Sequence, residues 1–427
     1  MTSSPTPVVL VVGAGIGGLC LAHGLRAAGI PVQVIERTRS RTDWVQGYRI
    51  HIDPHGSTAL RSCLSPGAWQ SFLDAVSDQA GGFAFHTEQL ARLLELPDAA
   101  GRDPDPARRH HGVSRIALRE VLLTDLDGVV EFDRTFDHYT VGPNGTVTAT
   151  CTDGTAIVGD LLVGADGAHS AVRQQLLPSA RRIDTGVRAV AGKYRLDRAD
   201  RPALPDVLTR GAVTVLPRRH GFMFSAVWRA DPTHLAATPA GTPPGFLFDT
   251  RTDYVFWAYA DAATAFPRDG DLFALSGGQL QQLVAEEINH WASALRQLVT
   301  GSEPDTVNAL RVRSAEPVEP WAAGPVTLLG DAIHNMTPMA GIGANTALRD
   351  ADLLRRELIG VRDGELSLSA AVARYERQML DYGFKAVARS LRNARLAGSS
   401  NRLQRAALRT ALRTLDHIPL AKARMAA

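Results

Sequence analysis

A chain of 427 residues is long for one typical domain and implies two substantial lobes, with room for an appended helical piece. Its 45% hydrophobic and 21% charged content is that of a globular protein, and a formal net charge of +2 supplies no whole-molecule field for nucleic acid or acidic lipid. Lysine occurs only at Lys193, Lys385 and Lys422, and no tract interleaves the many arginines with aromatics, which argues against nucleic-acid binding. Cys20, Cys63 and Cys151 are odd in number, far apart and outside any Cys-x-x-Cys pattern, so neither a disulfide framework nor a zinc site is expected. No metal and a reducing, cytoplasmic setting are the expectation. The apolar stretch from Val8 to Leu25 lacks a basic n-region and is interrupted by glycines, and no other run approaches the roughly 18 apolar residues of a membrane span. No stable membrane insertion is expected.

In chain order, VVLVVGAGIGGLCLAHGLRAAGIPVQVIER predicts a buried strand (Val8 to Val12), a tight turn, a helix (about Ile16 to Ala28) and a second strand ending at Glu36. Gly13 suits the sharp turn, Gly15 a close backbone approach to a pyrophosphate, and Gly18 the packing of helix on strand. Phosphates would then sit on the helix N-terminus, where free N–H groups and the macrodipole favour negative charge. Glu36 falls about 20 residues beyond the turn, where a carboxylate can bond both hydroxyls of an adenosine ribose and would repel a 2′-phosphate. The motif alone does not separate NAD from FAD. Pro97 to Gly112 reads as a polar loop, with His110-His111 taken as a solvated pair rather than metal ligands.

VTATCTDGTAIVGDLLVGADGAHSAVRQQL carries an Asp-Gly hairpin signal between alternating strands (Val147 to Ile157) and then a short strand from Leu161 to Val163. It ends in Asp166-Gly167, a pair suited either to a ligand or to a plain strand-to-helix turn, and Ser170 can cap the helix through Val172 and Arg173. From about Ala189 to Leu272 strands replace the earlier periodicity. Alternation puts Phe222, Phe224, Ala226 and Trp228 on one face and Met223, Ser225 and Val227 on the other; in the next strand Tyr254, Phe256 and Ala258 oppose Val255, Trp257 and Tyr259. Such an antiparallel sheet can roof a flat aromatic ligand, although alternation does not say which face does so. Thr238 to Gly245 reads as a loop within this lobe.

PVTLLGD repeats the buried strand (Val326 to Leu329), stopped by Gly330-Asp331, and beyond Pro338 the glycines Gly341 and Gly343 flank the start of a helix near Asn345. That helix N-terminus suits the electron-rich pyrimidine edge of a flavin, and Asp331 suits its ribityl hydroxyls. The second glycine turn is therefore expected to serve the far end of the same long cofactor. His334 reads as a polar residue at a bend or a proton relay. After Leu353 the chain is helical, with Gly383 as a weak point; Arg402, Arg405, Arg409 and Arg413 form a solvated basic face on a last helix packed against the cofactor lobe.

Together the three segments resemble the class A flavin-dependent monooxygenases, the aromatic hydroxylase family that includes p-hydroxybenzoate hydroxylase-like and tetracycline-modifying enzymes. The resemblance assigns Gly13, Gly15, Gly18, Glu36 and Arg37 to the fingerprint, Asp166 and Gly167 to a DG motif, and Asp331, Pro338, Gly341, Gly343, Ala344 and Asn345 to a GD motif. In VSRIALREVLL it points to Arg115, ahead of Arg119, as the phosphate contact; in GYRIHIDPHG it makes Arg49 a flavin contact and His51 a weaker one. Tyr375, Glu376 and Met379 echo the tetracycline-modifying subgroup. The implied fold is α/β: a Rossmann-like FAD-binding domain (residues 1–75, 108–185 and 310–360), a β-sheet substrate domain (76–107 and 186–309) and C-terminal helices (361–427). Phe224, Trp228, Phe256 and Met339 are the substrate candidates. The implied reaction uses FAD, with NADPH or NADH as a transient reductant, and O2, and hydroxylates an aromatic or polyketide-like small molecule through a flavin C4a-hydroperoxide. A monomer or homodimer is expected. No second dinucleotide fingerprint and no Ser/His/Asp order is present, so no catalytic side chain is assigned. A reductase, oxidase or epoxidase of the same fold, or an FAD-holding sensor, stays open as an alternative.

Overall fold

The computed structural model describes residues 6–39, 49–77, 82–96, 103–197, 202–229, 252–267, 269–419 and 422. The loop expected at 238–245 lies outside them, as do residues 97–102. Val9–Val12 is buried at all four positions and sits at the centre of a five-stranded parallel sheet, flanked by Leu161–Gly164 and Val326–Leu328 on one side and by Val32–Ile35 and Val130–Glu131 on the other. A parallel strand covered on both faces must be apolar on both, which explains the unbroken hydrophobic runs. Helices Ile16–Ala27 and Gly343–Arg362 pack against each other beside this sheet. On the sheet's other flank is an antiparallel meander, Phe136–Val141, Val147–Cys151 and Ala156–Gly159, whose Gly159 comes against Leu10.

The second large sheet has seven strands in the order Asn308–Ala315, Arg182–Arg195, Tyr254–Ala262, Phe222–Trp228, Ala212–Val215, Phe83–His86 and Arg92–Leu96. All neighbours are antiparallel except Ala212–Val215 with Phe83–His86. One face is sealed by helices Gly277–Glu287 and Ser293–Thr300: Met223, Val227, Val255, Trp257 and Tyr259 share a core with Leu280, Val284, Leu295 and Leu298. The strands Arg182–Arg195 and Asn308–Ala315 run straight across the positions at which the sequence suggested changing lobes.

A three-stranded sheet, Arg49–Ile52, His111–Ser114 and Val76–Ser77, completes the framework. It corrects the reading of the histidine pair. His111 is buried in that strand, its Nε2 donating to the Pro106 carbonyl at 2.8 Å and its ring edge-on to Phe72, while His110 stacks on His51 with Nδ1 2.7 Å from its Nε2. Among the described residues no group of three potential metal ligands occurs, and no helix is long and apolar enough to cross a membrane.

Two expectations for the tail also need correction. Leu368–Ala397 is one unbroken helix of 30 residues; Gly383 is a place where a Cβ would meet the His334 ring at 2.7 Å, so the missing side chain makes room for tight packing. Helix Arg402–Asp416 packs not on the cofactor lobe but on the edge strand Arg92–Leu96, with Leu412 against Leu93 and Leu94. Its basic face is solvated only in part: Arg402 and Arg413 are exposed, but Arg405 and Arg409 are buried. Arg405 donates to the carbonyls of Gly221 (2.9 Å) and Pro217 (3.3 Å), and Arg409 pairs with Glu88 at 2.7 Å, because buried guanidinium groups are tolerated where acceptors meet them.

Candidate functional site: a bipartite dinucleotide cradle

The first glycine turn has the steric signature expected of it. Gly13 has φ +109°, and a Cβ there would stand 2.5 Å from the Ala165 carbonyl oxygen; at Gly18 it would stand 2.2 Å from the Gly13 oxygen. Helix Ile16–Ala27 is thus pressed onto its strand at a distance that excludes any side chain. Gly15, the N-cap, differs: a Cβ there would meet nothing within 4 Å, so the helix N-terminus opens onto free space of the kind a pyrophosphate would fill. Glu36 returns to this turn, its Oε2 accepting from Ala14 N at 2.7 Å and Oε1 from Thr38 N at 2.9 Å. The Thr38 hydroxyl beside it is buried with no partner.

Of the two arginines in the following helix, Arg119 touches the turn: it is buried and its Nε donates to the Ala14 carbonyl at 3.3 Å. Arg115 opens that helix after its cap Ser114. The resemblance pointed to Arg115 first; the bond to Ala14 brings Arg119 to the fingerprint.

Asp166 and Gly167 end the neighbouring strand, one register position from the first turn. Asp166 Oδ2 accepts from Ala171 N at 2.7 Å and Val172 N at 3.3 Å, while its Oδ1 is buried with no partner. Burial raises this carboxyl above the ordinary aspartate range, against the pull of Ser170 and the backbone N–H groups. A buried acceptor with unmet capacity beside an open helix N-terminus fits hydroxyl groups of a bound nucleotide.

The second glycine turn follows Val326–Leu328. Asp331 is exposed at the start of the one-turn helix Asp331–His334, and the buried side of that turn is held by one carboxylate, Asp350. Its Oδ2 accepts from Gly330 N at 2.8 Å and pairs with His334 Nε2 at 2.7 Å, and its Oδ1 accepts from Tyr382. Burial alone would lower the His334 imidazole; the Asp350 carboxylate outweighs it, with Asp331 adding, and holds it above the ordinary histidine value. His334 is therefore a buried anchor of the turn. Asp350 and Tyr382 escaped the sequence reading; the available signal was an acid beside Leu348, Ala351 and Leu354 on the buried stripe of helix Gly343–Arg362.

Pro338, Met339 and Ala340 form a short 3-10 turn, and Gly341, Gly343 and Ala344 lead into helix Gly343–Arg362. A Cβ on Gly341 would meet nothing, and one on Gly343 only Met336 at 3.7 Å, so this helix start is open as well. Asn345 spends its side chain on the protein: Oδ1 accepts from Asp53 N and Nδ2 donates to the His51 carbonyl, both at 2.9 Å. Those bonds tie strand Arg49–Ile52 to the second turn. Arg49 then lies against the Gly112 backbone with its Nε buried and unpartnered, lowered to about 10 by burial. His51 is pushed down to about 3 by burial and by the charges of Arg49 and the neighbouring histidines.

The substrate candidates fall on one face. Phe224 and Phe256 stand 6.4 Å apart between ring centroids, and Phe224 and Met339 pack on the same small cluster of Val187, Ala189, Phe222 and Ala260. Trp228 is buried farther along that face, opposite Tyr254. The face left open by alternation is the one that meets the second glycine turn. At the outer rim, His169, Arg182, Arg311, Arg313 and Phe273 line an open basic hollow of about 460 Å³, with exposed Arg37 close enough to help lower the His169 imidazole, whose main cause is burial.

These features define an FAD-binding α/β protein. Residues 6–193 and 281–390 match the family model described as FAD binding domain, and the chain belongs to that family, among the class A FAD-dependent monooxygenases. A crystallised Photorhabdus luminescens protein assigned as an FAD-containing monooxygenase is 36% identical, with a TM-score of 0.80 over 92% of this chain and 98% of that one. The Streptomyces platensis 3-amino-4-hydroxybenzoate 2-monooxygenase PtmB3 is 30% identical over 88% of this chain and 85% of its own. A dual O-methyltransferase/FAD-dependent monooxygenase of Phaeosphaeria nodorum, elcB, is 30% identical over 88% of this chain, which spans only 42% of that protein's length.

Proposed function

We propose that the protein is an FAD-dependent, NAD(P)H-consuming monooxygenase that hydroxylates an aromatic or polyketide-like small molecule. The observation that carries this reading is the meeting of the Phe224–Phe256 sheet face with Met339 of the second glycine turn, which sets an aromatic platform beside the proposed flavin end. The relative named as a 3-amino-4-hydroxybenzoate 2-monooxygenase supports an aromatic substrate, and the fungal relative named as an FAD-dependent monooxygenase supports the reaction type.

Bound FAD would supply the redox and oxygen-activating chemistry. The chain's own residues hold and orient it: the open helix start at Gly15 faces the pyrophosphate, Glu36 and Asp166 offer acceptors to its hydroxyls, and Asp331, Gly343 and Ala344 take the ribityl and pyrimidine end. The basic hollow of His169, Arg182, Arg311 and Arg313 suits the phosphates of a reductant that comes and goes, in keeping with the lack of a second fingerprint. Phe224 and Phe256 exclude water from the ring they cover.

The test is aerobic NADH or NADPH consumption by the flavin-loaded protein with a panel of phenols and aromatic acids, followed by mass spectrometry. A product heavier by one oxygen, formed only with reductant, is expected. Substrate-independent peroxide formation would make the protein an oxidase, and inertness with firmly bound FAD a sensor.

A further inference from the structure

Charge is nearly balanced over the whole chain, with 46 cations against 44 acids, but not towards its C-terminal end. Between Asp381 and Asp416 there is no Asp or Glu, while Lys385 and seven arginines occur. The fold divides these cations. Arg405 and Arg409 turn inward to carbonyls and to Glu88, and Lys385 pairs with Asp381 at 2.7 Å. Arg389, Arg392, Arg395, Arg402 and Arg413 are exposed, and among the described residues none of the five makes an ion pair. Lys385, Arg389, Arg392 and Arg395 follow at intervals of four, three and three residues, which keeps them on one side of helix Leu368–Ala397 over about 15 Å. Leu396, 37% exposed, lies among them, and Arg402 opens the next helix.

The opposite side of the same helix belongs to the fold. Val387 and Ala394 are buried, Thr337 Oγ1 donates to the Ser390 carbonyl at 3.0 Å, and Asn393 donates to the Met339 carbonyl at 3.3 Å. The cationic stripe therefore backs onto the second glycine turn across one helix diameter, about 10 Å. Like charges three and four residues apart repel and weaken a helix, so the fold gains nothing from them. A partner of opposite charge removes that repulsion, and the planar guanidinium fork suits carboxylates. A bilayer is matched less well. Adsorbing helices insert an apolar side and aromatic residues, whereas here the apolar side faces the protein, and Tyr375, Tyr382 and Phe384 are buried, bonded to Asp350 and packed on the core, respectively. Single-stranded nucleic acid would need the same missing rings.

We propose that this face, Lys385 to Leu396 with Arg402, docks an acidic partner protein that presents carboxylates along a helix at matching intervals, with Leu396 as the apolar contact inside a charged rim. Exposed pairs contribute little one by one, so the complex is transient, quick to form and sensitive to salt. Docking there places the partner beside the turn that carries Met339 and is independent of what the chain oxidises.

The test is fluorescence anisotropy of the full chain with a labelled, stapled alanine–glutamine helix carrying four glutamates at intervals of four, three and three; a control peptide of the same composition scatters them around the helix. The matched peptide should bind about tenfold more tightly than the scattered one at about 0.05 M salt, and should weaken about tenfold by about 0.3 M. Arg389→Glu with Arg392→Glu should abolish the difference, and Arg389→Gln with Arg392→Gln should shrink it several-fold. Arg108→Glu with Arg210→Glu, an equal change of net charge at side chains 72% exposed elsewhere, should leave it intact. Circular dichroism checks that each variant is folded. No binding, equal binding of the two peptides, or an equal loss in both charge-reversed variants would overturn the docking face. So would tighter binding of phosphatidylserine vesicles or duplex DNA that depends on Arg389 and Arg392, which would give the face to lipid or nucleic acid.

Discussion

The two large sheets are finished in opposite ways. The parallel sheet buries its strands Val9–Val12, Leu161–Gly164 and Val326–Leu328 completely, and the proposed cofactor contacts lie at the turns that follow their C-terminal ends, Gly13, Asp166 and Gly330. The seven-stranded sheet seals one face with helices and carries the proposed substrate residues on the other, so its proposed function lies in side chains along the strands. The contrast teaches that a cofactor held largely by backbone needs glycines at fixed positions, whereas a ligand held by a sheet face needs only the right residues in alternation. The first requirement tolerates almost no substitution; the second tolerates many.

The sharpest way to break this comparison is to cut the two faces of the second sheet separately. Trp257→Ala removes a fully buried ring whose Nε1 bonds Ser302 at 2.7 Å and should cost about 3–5 kcal/mol in denaturant unfolding. Phe224→Ala, on the open face, should cost about 1 kcal/mol and act instead on ligand affinity. Equal losses would mean that both faces are core.

Next in size is a pH effect under the parallel sheet. Glu376, buried on helix Leu368–Ala397, is raised from 4.5 to about 7 by burial, although Thr327 and Trp321 donate to it at 2.8 and 3.0 Å. The folded state therefore holds this proton more tightly than the unfolded chain. The stabilisation is complete below about pH 4.5 and is lost as pH rises to 7, on the order of 3 kcal/mol. Glu376→Gln, which keeps an acceptor, should flatten that part of the stability profile; an unchanged slope would show that Glu376 is ionised in the folded protein.

Smaller again is Gly13→Ala. The positive φ and the 2.5 Å approach to the Ala165 carbonyl predict a loss of about 2–3 kcal/mol and of retained flavin, read by unfolding and by visible absorbance after gel filtration. Wild-type values for both would mean that the turn can reshape freely.

The same contrast explains what could be read in advance. Gly13, Gly15, Gly18, Glu36, Asp166 and Asp331 could be picked out because backbone geometry ties each residue type to one place in a strand-turn-helix unit. The sealed and open faces of the second sheet could not, because both alternate aromatics, and only the register with helices far along the chain tells Trp257 from Phe256. His111 and Arg405 misled for a related reason: polar residues imply solvent unless the fold shows their partners, here the nearby Pro106 carbonyl for His111 and the remote carbonyls of Pro217 and Gly221 for Arg405. The Asp350 to His334 pair was hidden likewise, its members 16 residues apart on different helices.

The account stands on one FAD gripped at both ends by turns more than 300 residues apart in the chain, Gly13 and Gly330 to Asn345. The most direct test is equilibrium binding of FAD and of ADP to the wild type, Glu36→Ala and Asp331→Ala. One FAD per chain is expected; Glu36→Ala should weaken both ligands, while Asp331→Ala should weaken FAD about tenfold, or about 1.4 kcal/mol, and leave ADP unchanged. Wild-type FAD affinity in Asp331→Ala, or an equal loss of ADP and FAD there, would contradict the two-ended grip.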